Sequence, residues 1–361
     1  MKLVSHLVSL ELLTPCWAGG ADPATQADVR VATIRGQLRW WLRGLYPDDN
    51  ADIRIFGAAA EGGMRASRVT LRLDKMEARV ESQDLEAYMR MRTDQASKRE
   101  SESYFLWPLR TQKRGALYPP KCESHASFSF SWSWLPPFHA EQRELGLKIE
   151  RAVRAFSLLG TRGTRATRGY GSVWNPEDKF NAPGELIAAL SFLPPTVQVR
   201  LLPSVSDIGL QALAEAALWM RNLRIGTATY GERTEWGRND HDVADPLQPE
   251  KRNAVVHRQA LGMPLAQRFR RGNATTVVSS KYSSSDPMGG RGLMTDRYPS
   301  PVRIKVCRLA GKYRVLVVIL RGLLLPENTK IRLSSKGGYA REALLSHDLV
   351  EHIATQGEAA H

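Results

Sequence analysis

Gly160-Thr-Arg162-Gly163-Thr-Arg165-Ala-Thr-Arg168-Gly169-Tyr170-Gly171-Ser172-Val173 is the stretch whose place in the chain decides the fold. Directly before it, Leu145, Ile149, Ala152, Phe156 and Leu159 repeat at the spacing of one helix face, which predicts a helix over 140–159. Further upstream, Phe128, Phe130, Trp132 and Trp134 alternate with four serines over 127–134, the pattern of a half-buried strand. Over 68–73, Val69, Leu71 and Leu73 alternate in the same way. A helix over 31–45 carries Ile34, Leu38, Trp41 and Leu45 as its apolar stripe. The first strand, over 2–14, sets Val4, His6, Val8, Leu10 and Leu12 on one parity and ends at Pro15 and Gly19-Gly20. The order is strand, helix, strand, strand, helix, glycine-rich loop. A closing strand after Val173 completes a βαββαβ ferredoxin-like unit.

The loop itself joins glycines to arginines, and no acid lies between Glu150 and Glu177. Glycine lets backbone approach a ligand and take positive φ, and guanidinium forks fit phosphate oxygens. Such a loop wraps a polyanion, or it is a solvated basic stretch that ends a helix. The helix over 31–45 offers a second basic element, because Arg35, Arg39 and Arg43 form a stripe of their own with Gly36 beside it. Glycine inside a helix costs about 1 kcal/mol against alanine, so a close backbone or a ligand is expected at Gly36. Three like charges on one face also repel unless an anion meets them.

The segment 77–103 is charged and poor in aliphatics and reads as a helical insertion or a loop. A boundary is expected over 176–184, giving one domain over 1–180 and a second α+β domain over 185–361. The second half reads as a strand over 196–202, a helix over 210–222 and a polar stretch over 225–254. A Gly-, Ser- and Arg-rich loop over 270–297 follows, then a hairpin from Val302 to Leu320 turning at Ala310-Gly311-Lys312, then a helix over 341–353.

The 361 residues suffice for two domains with cores of their own. With 51 Lys and Arg against 37 Asp and Glu the formal net charge is +14, which points to nucleic acid or another anionic partner, or reflects host composition. Cys16, Cys122 and Cys307 have no paired spacing, so neither a zinc ribbon nor a thioredoxin-like site is expected. Neither a long apolar run nor a basic-then-apolar start stands out, so the expectation is a cytoplasmic protein without a membrane partner.

Several segments together resemble the RAMP superfamily: Thr14-Pro-Cys-Trp-Ala-Gly-Gly-Ala-Asp22, Ile34 to Arg43, Ile55-Phe-Gly57, Thr167 to Val173, Thr295 to Pro301 and Leu323-Leu-Leu-Pro326. Their order and spacing look most like the first-numbered Cmr subunit of type III-B CRISPR effector complexes. The resemblance implies two tandem ferredoxin-like, RRM-like domains with insertions, an α+β class. It implies a binding subunit without catalytic residues, cofactor or metal, which holds the 3′ region of the CRISPR RNA or the target RNA paired with it. Its partners would be those RNAs and the other RAMP subunits. The residues it carries over are Arg35, Gly36, Arg39 and Arg43 on the helix and Arg168, Gly169, Tyr170 and Gly171 in the loop. Arg162 and Arg165 join them from the loop's own chemistry, as phosphate contacts. Tyr170 either stacks on a base or packs under the loop.

Two other readings compete. A RAMP-type endoribonuclease needs a base for the 2′-hydroxyl. His6, His125, His139, His241 and His257 are candidates, although His6 reads better as a partly buried strand residue. Asp240, Asp242 and Asp245 around His241 would suit a divalent ion, or are plain polar loop residues. A scaffold is the other reading, docking proteins through Trp40, Trp107 or Trp236.

Overall fold

The computed structural model describes residues 4–18, 28–60, 63–81, 105, 122–136, 141–225, 235–248, 254–263, 265–271, 274–282, 298 and 300–361. Gly19-Gly20, residues 82–104, Trp107, His139 and residues 283–297 lie outside the described residues, as does the side chain of His125.

The alternating segments pair as their patterns predict. β1 (Ser5–Leu12) lies antiparallel to β6 (Cys122–Trp134), with Leu10 opposite Phe128, Val8 opposite Phe130 and His6 opposite Trp132. β6 pairs on its other side with β5 (Val69–Glu81), which runs on as strand through Glu77, and β7 (Val173–Trp174) closes beside β1. The order β5-β6-β1-β7 is that of a ferredoxin-like unit, second-third-first-fourth in chain order. A two-residue β2 (Cys16–Trp17) extends the sheet along β6.

The crossing helices are α1 (Val31–Leu45) and, after a short α2 (Ala51–Phe56), α3 (Gln142–Leu159). Between α2 and β5 a small hairpin joins β3 (Ala58–Ala60) to β4 (Gly63–Arg65). The predicted stripes are the buried faces. Ile34, Leu38, Trp41 and Leu45 of α1 share this interior with Ile149 and Phe156 of α3 and with Phe128, Phe130 and Trp132 of β6. Each such side chain contributes about 1.5–3 kcal/mol through burial. His6 stacks on Trp132 at 4.2 Å between ring centroids, a satisfied strand residue.

After α4 (Pro183–Leu190) the same order recurs: β8 (Val197–Leu201), α5 (Gly209–Ile225), then, after the intervening strands of 255–282, β12 (Val302–Leu309) and β13 (Lys312–Leu320). Near the chain end β16 (Glu358–Ala359) joins this sheet, whose order is β12-β13-β8-β16, again second-third-first-fourth. The tight turn between β12 and β13 puts Ala310 at φ 51° and Gly311 at φ 72°, the pair of positive values that matches strand twist. β13 is central, and Val315 to Leu320 are all buried.

Chain contacts divide into two compact units. One comprises Met1–Leu218, Arg303–Leu323 and Gly357–His361 and holds both sheets described above; the other comprises Trp219–Val302 and Leu324–Gln356. The second unit has α6 (Glu235–Ala244), where a polar loop was expected. Its sheet is β10 (Leu265–Arg271), β11 (Ala274–Tyr282), β14 (Lys330–Ser335), β15 (Ala340–Leu345) and β9 (Val255–Val256), in that order. Two expectations are corrected here. Residues 274–282 are strand and not loop, because the β-branched run Thr275, Thr276, Val277 and Val278 is held between two neighbours. Residues 340–345 are strand although Ala, Arg, Glu and Leu favour helix, because pairing with β14 and β9 overrides propensity. The helix there, α7 (Asp348–Thr355), starts later.

Candidate nucleic-acid interface

The loop between α3 and β7 is packed rather than solvated. Gly169 and Gly171 take φ 84° and 64°, and a Cβ on Gly171 would lie 2.1 Å from the Arg162 carbonyl oxygen. The close approach that Gly171 permits is of the loop to its own backbone, and Gly169 admits the Leu213 and Ile304 side chains. The Thr14 hydroxyl donates to the Gly169 carbonyl at 2.7 Å and accepts from the Ser172 N–H at 2.9 Å. The Gly171 N–H donates to the Pro15 carbonyl at 2.8 Å. The Ser172 hydroxyl accepts from the Val306 N–H at 2.9 Å, so the loop ties the end of β1 to β12.

The loop arginines follow this packing. Arg162 is 1% exposed; its Nη2 donates to the Asp28 carbonyl at 2.7 Å and its guanidinium lies over the Phe128 ring. Arg168 is buried and bridges main chain to Ile304, and Arg165 Nε donates to the Phe105 carbonyl at 2.5 Å. Tyr170 is fully buried, which decides for packing under the loop over base stacking. The expectation that Arg162 and Arg168 reach phosphates from an open loop is therefore corrected: their side chains are enclosed by the chain itself.

Two buried cations on β12 escaped the sequence reading. Lys305 Nζ donates to the carbonyls of Gly160, at 2.9 Å, and Val173. Burial pushes its pKa down to about 7. A neutral amine has two N–H groups for these two acceptors, so both of its donors are used. Arg303, whose pKa burial lowers to about 9, lies over the Trp40 ring at 3.3 Å and donates to Gln37 Oε1 at 3.1 Å. Trp40 thus caps the core edge within its own unit and does not stand open as a docking residue. Arg303 and Lys305 share one parity of a strand whose other residues from Val302 to Cys307 are apolar.

The basic face of α1 is different. Arg39 and Arg43 both reach Asp52 Oδ2, at 3.3 and 3.0 Å, and Arg39 also donates to the Gly57 carbonyl at 3.0 Å. The anion that the stripe required is thus partly internal, one carboxylate against two guanidiniums. The Arg43 side chain remains 53% exposed against 6% for Asp52, so its outer edge faces water. Arg35 has Nε buried without a hydrogen-bond partner and enters no ion pair among the described residues. Gly36 is exposed, and a Cβ placed on it would meet nothing within 4 Å. Among the described residues no backbone accounts for this glycine. The close approach that is accounted for lies at Gly44, where a Cβ would meet Leu320 at 2.1 Å.

Next to this face lies an open cleft of about 520 Å³, lined by Arg39, Phe56, Gly57, Ala58, Met64 and Arg65, with Ala66 at its edge. Arg65 is exposed and enters no ion pair among the described residues.

The acidic cluster of the second unit is a structural knot. Asp240 is fully buried and accepts from the His257 N–H and Nδ1 at 2.9 and 3.1 Å and from the Arg258 N–H and Nε at 2.8 and 3.1 Å. Burial alone would raise its pKa, but the His257 hydrogen bond and the Arg258 charge outweigh it and hold the carboxyl below the usual range. Asp245 accepts from the Leu247 N–H, and the His241 ring lies against Phe269. Among the described residues no group of three or more His, Cys, Asp or Glu side chains is placed to hold a metal ion. Trp236 packs on His352, 4.7 Å between centroids. Among the described residues no helix is long and apolar enough to cross a membrane.

Residues 9–174 match the RAMP superfamily, a span that covers the first βαββαβ unit from β1 to β7. The chain carries this matching segment in its first half. It is similar to the crystal structure of Cmr1 from Pyrococcus furiosus in its apo form, with 13% identity, 95% of this chain and 98% of that chain covered, and a TM-score of 0.49. It is also similar to a chain in the cryo-EM structure of the type III-B Cmr-beta complex bound to cognate target RNA, with 12% identity, 98% of each chain covered and a TM-score of 0.47. Among curated proteins none matches.

Proposed function

We propose that this chain is a non-catalytic RNA-binding subunit of a type III-B CRISPR effector complex, which holds the 3′ region of the CRISPR RNA or the target RNA paired with it. The observation that carries the reading is the outer face of α1 in a RAMP segment, where Arg35 and Arg43 flank a glycine whose Cβ position stands in open space. A missing Cβ leaves room for a sugar-phosphate backbone to lie close to the helix, and guanidiniums on either side supply charge-assisted hydrogen bonds to its oxygens. The net charge of +14 supports a polyanionic partner. Contacts of this kind do not read bases, which suits a subunit that must accept any guide. The other RAMP subunits and a cytoplasmic setting come with the same reading.

Single-stranded RNA binding by the full chain, measured against salt, tests it. Replacing both Arg35 and Arg43 with Ala is expected to lower affinity about tenfold near 0.1 M salt. The slope of log K against log salt should flatten by about 0.7 for each phosphate that the variant no longer neutralises. Full affinity in a folded double variant would sink the proposal. Site-specific scission of a precursor RNA on the same gels would replace it with the endoribonuclease.

A further inference from the structure

The cleft beside α1 is built of two kinds of wall. Phe56, Ala58 and Met64 are apolar, Arg39 and Arg65 stand on its rim, and among the described residues no carboxylate lines it. Its position follows from the chain course. Gly57, at φ 72°, turns α2 into β3 so tightly that a Cβ there would lie 2.2 Å from the Arg65 carbonyl oxygen, and Arg39 Nη1 is anchored on the Gly57 carbonyl at 3.0 Å. The small residue Ala58 stands opposite Arg65 across the hairpin, which keeps the slot open. Met64 is 91% exposed, an apolar and polarisable side chain left in water, and Arg39 and Arg65 line the same cleft.

A lone exposed methionine is ordinary. One that shares a cleft with an apolar wall and two guanidiniums matches a particular chemistry, a flat aromatic ring with phosphates beside it. Thioether sulfur makes favourable contacts with aromatic rings, and an unstacked nucleobase has such a π-face whatever its sequence. About 520 Å³ is within the range of small-ligand pockets, so one nucleotide has room. We propose that this cleft takes one unpaired nucleobase of the bound RNA against Met64, with the adjoining phosphates on Arg65 and Arg39. The inference rests on the RNA-binding reading above and adds to it the point at which a base leaves the strand.

The test compares the full chain on a single-stranded oligoribonucleotide and on a matched strand of abasic sugar-phosphate units, at one low salt concentration. Met64→Ser is expected to weaken the base-containing strand about five- to tenfold and to leave the abasic strand unchanged. Arg65→Ala is expected to weaken both strands equally, about threefold. Both side chains are exposed, so the variants keep the fold, which an unchanged unfolding midpoint verifies. Equal loss on both strands with Met64→Ser overturns the base contact. Unaltered binding by both variants, with the wild-type chain still binding RNA, overturns the cleft and leaves the RNA-binding reading intact. Failure of the wild-type chain to bind either strand overturns that reading, and this inference with it.

Discussion

The loop at 160–173 and the outer face of α1 are alike in composition, each with arginines set among glycine, yet the structure treats them in opposite ways. In the loop, Arg162 and Arg168 are buried and the glycines serve close packing, Gly171 against backbone and Gly169 against the Leu213 and Ile304 side chains. On α1, Arg43 is half in water and Gly36 faces open space. Arginine beside glycine therefore does not mark an anion site by itself. What marks one is a guanidinium whose remaining hydrogen-bonding edge faces solvent, next to a backbone that the folded chain leaves uncovered.

Glycine substitution breaks the two regions apart most sharply. Gly171→Ala puts a Cβ 2.1 Å from a carbonyl oxygen at positive φ, and a loss of about 3 kcal/mol or more is expected in urea unfolding. An unshifted midpoint would show that the loop is loose enough to absorb a methyl group. Arg162→Ala comes next. It removes a buried side chain and its bond to the Asp28 carbonyl, for an expected loss of about 3 kcal/mol, whereas Arg43→Ala at an exposed position should cost under about 0.5 kcal/mol. Similar costs for the two would erase the contrast.

Lys305 sharpens the comparison through pH. Its folded pKa, about 7, lies below the unfolded value near 10.5, so between these the unfolded chain binds more protons and stability rises with pH. From pH 7 to 9 this group adds about 2 kcal/mol to the unfolding free energy. The Lys305→Met variant should lose that rise; a wild-type chain with a flat profile over this range would mean that the amine stays charged. Gly36→Ala has a small effect of opposite sign on stability. In an exposed helix interior with free space it should stabilise the protein by under about 1 kcal/mol and weaken RNA binding a few-fold. Gain in stability without loss of affinity would remove Gly36 from the interface.

Much of the first unit was legible. The stripe Ile34, Leu38, Trp41 and Leu45 and the alternation from Phe128 to Trp134 are periodic enough that burial of one face leaves little choice of structure. The hairpin after Val302 was equally plain, although the turn is Ala310-Gly311 alone and Lys312 already belongs to the second strand. The strands over 274–282 and 340–345 were not, because their stability comes from neighbours distant in sequence. At the proposed interface, Arg35, Gly36, Arg39 and Arg43 could be named from spacing. Asp52, which pairs with two of them, and the cleft wall formed by Met64 and Arg65 could not, since the fold of α2 and the small hairpin brings them there.

The sequence by itself determined the order of strands and helices in the first unit, the excess of positive charge, and the membership of the charged residues in two glycine-bearing stretches. Periodicity and charge are local, additive properties of the chain, so they can be read without coordinates. Only the tertiary structure decided which arginines are enclosed and which meet water, why Lys305 is held near neutrality, and where a slot opens beside α1. Burial depends on which distant segments lie against a side chain, and no window of sequence contains that information.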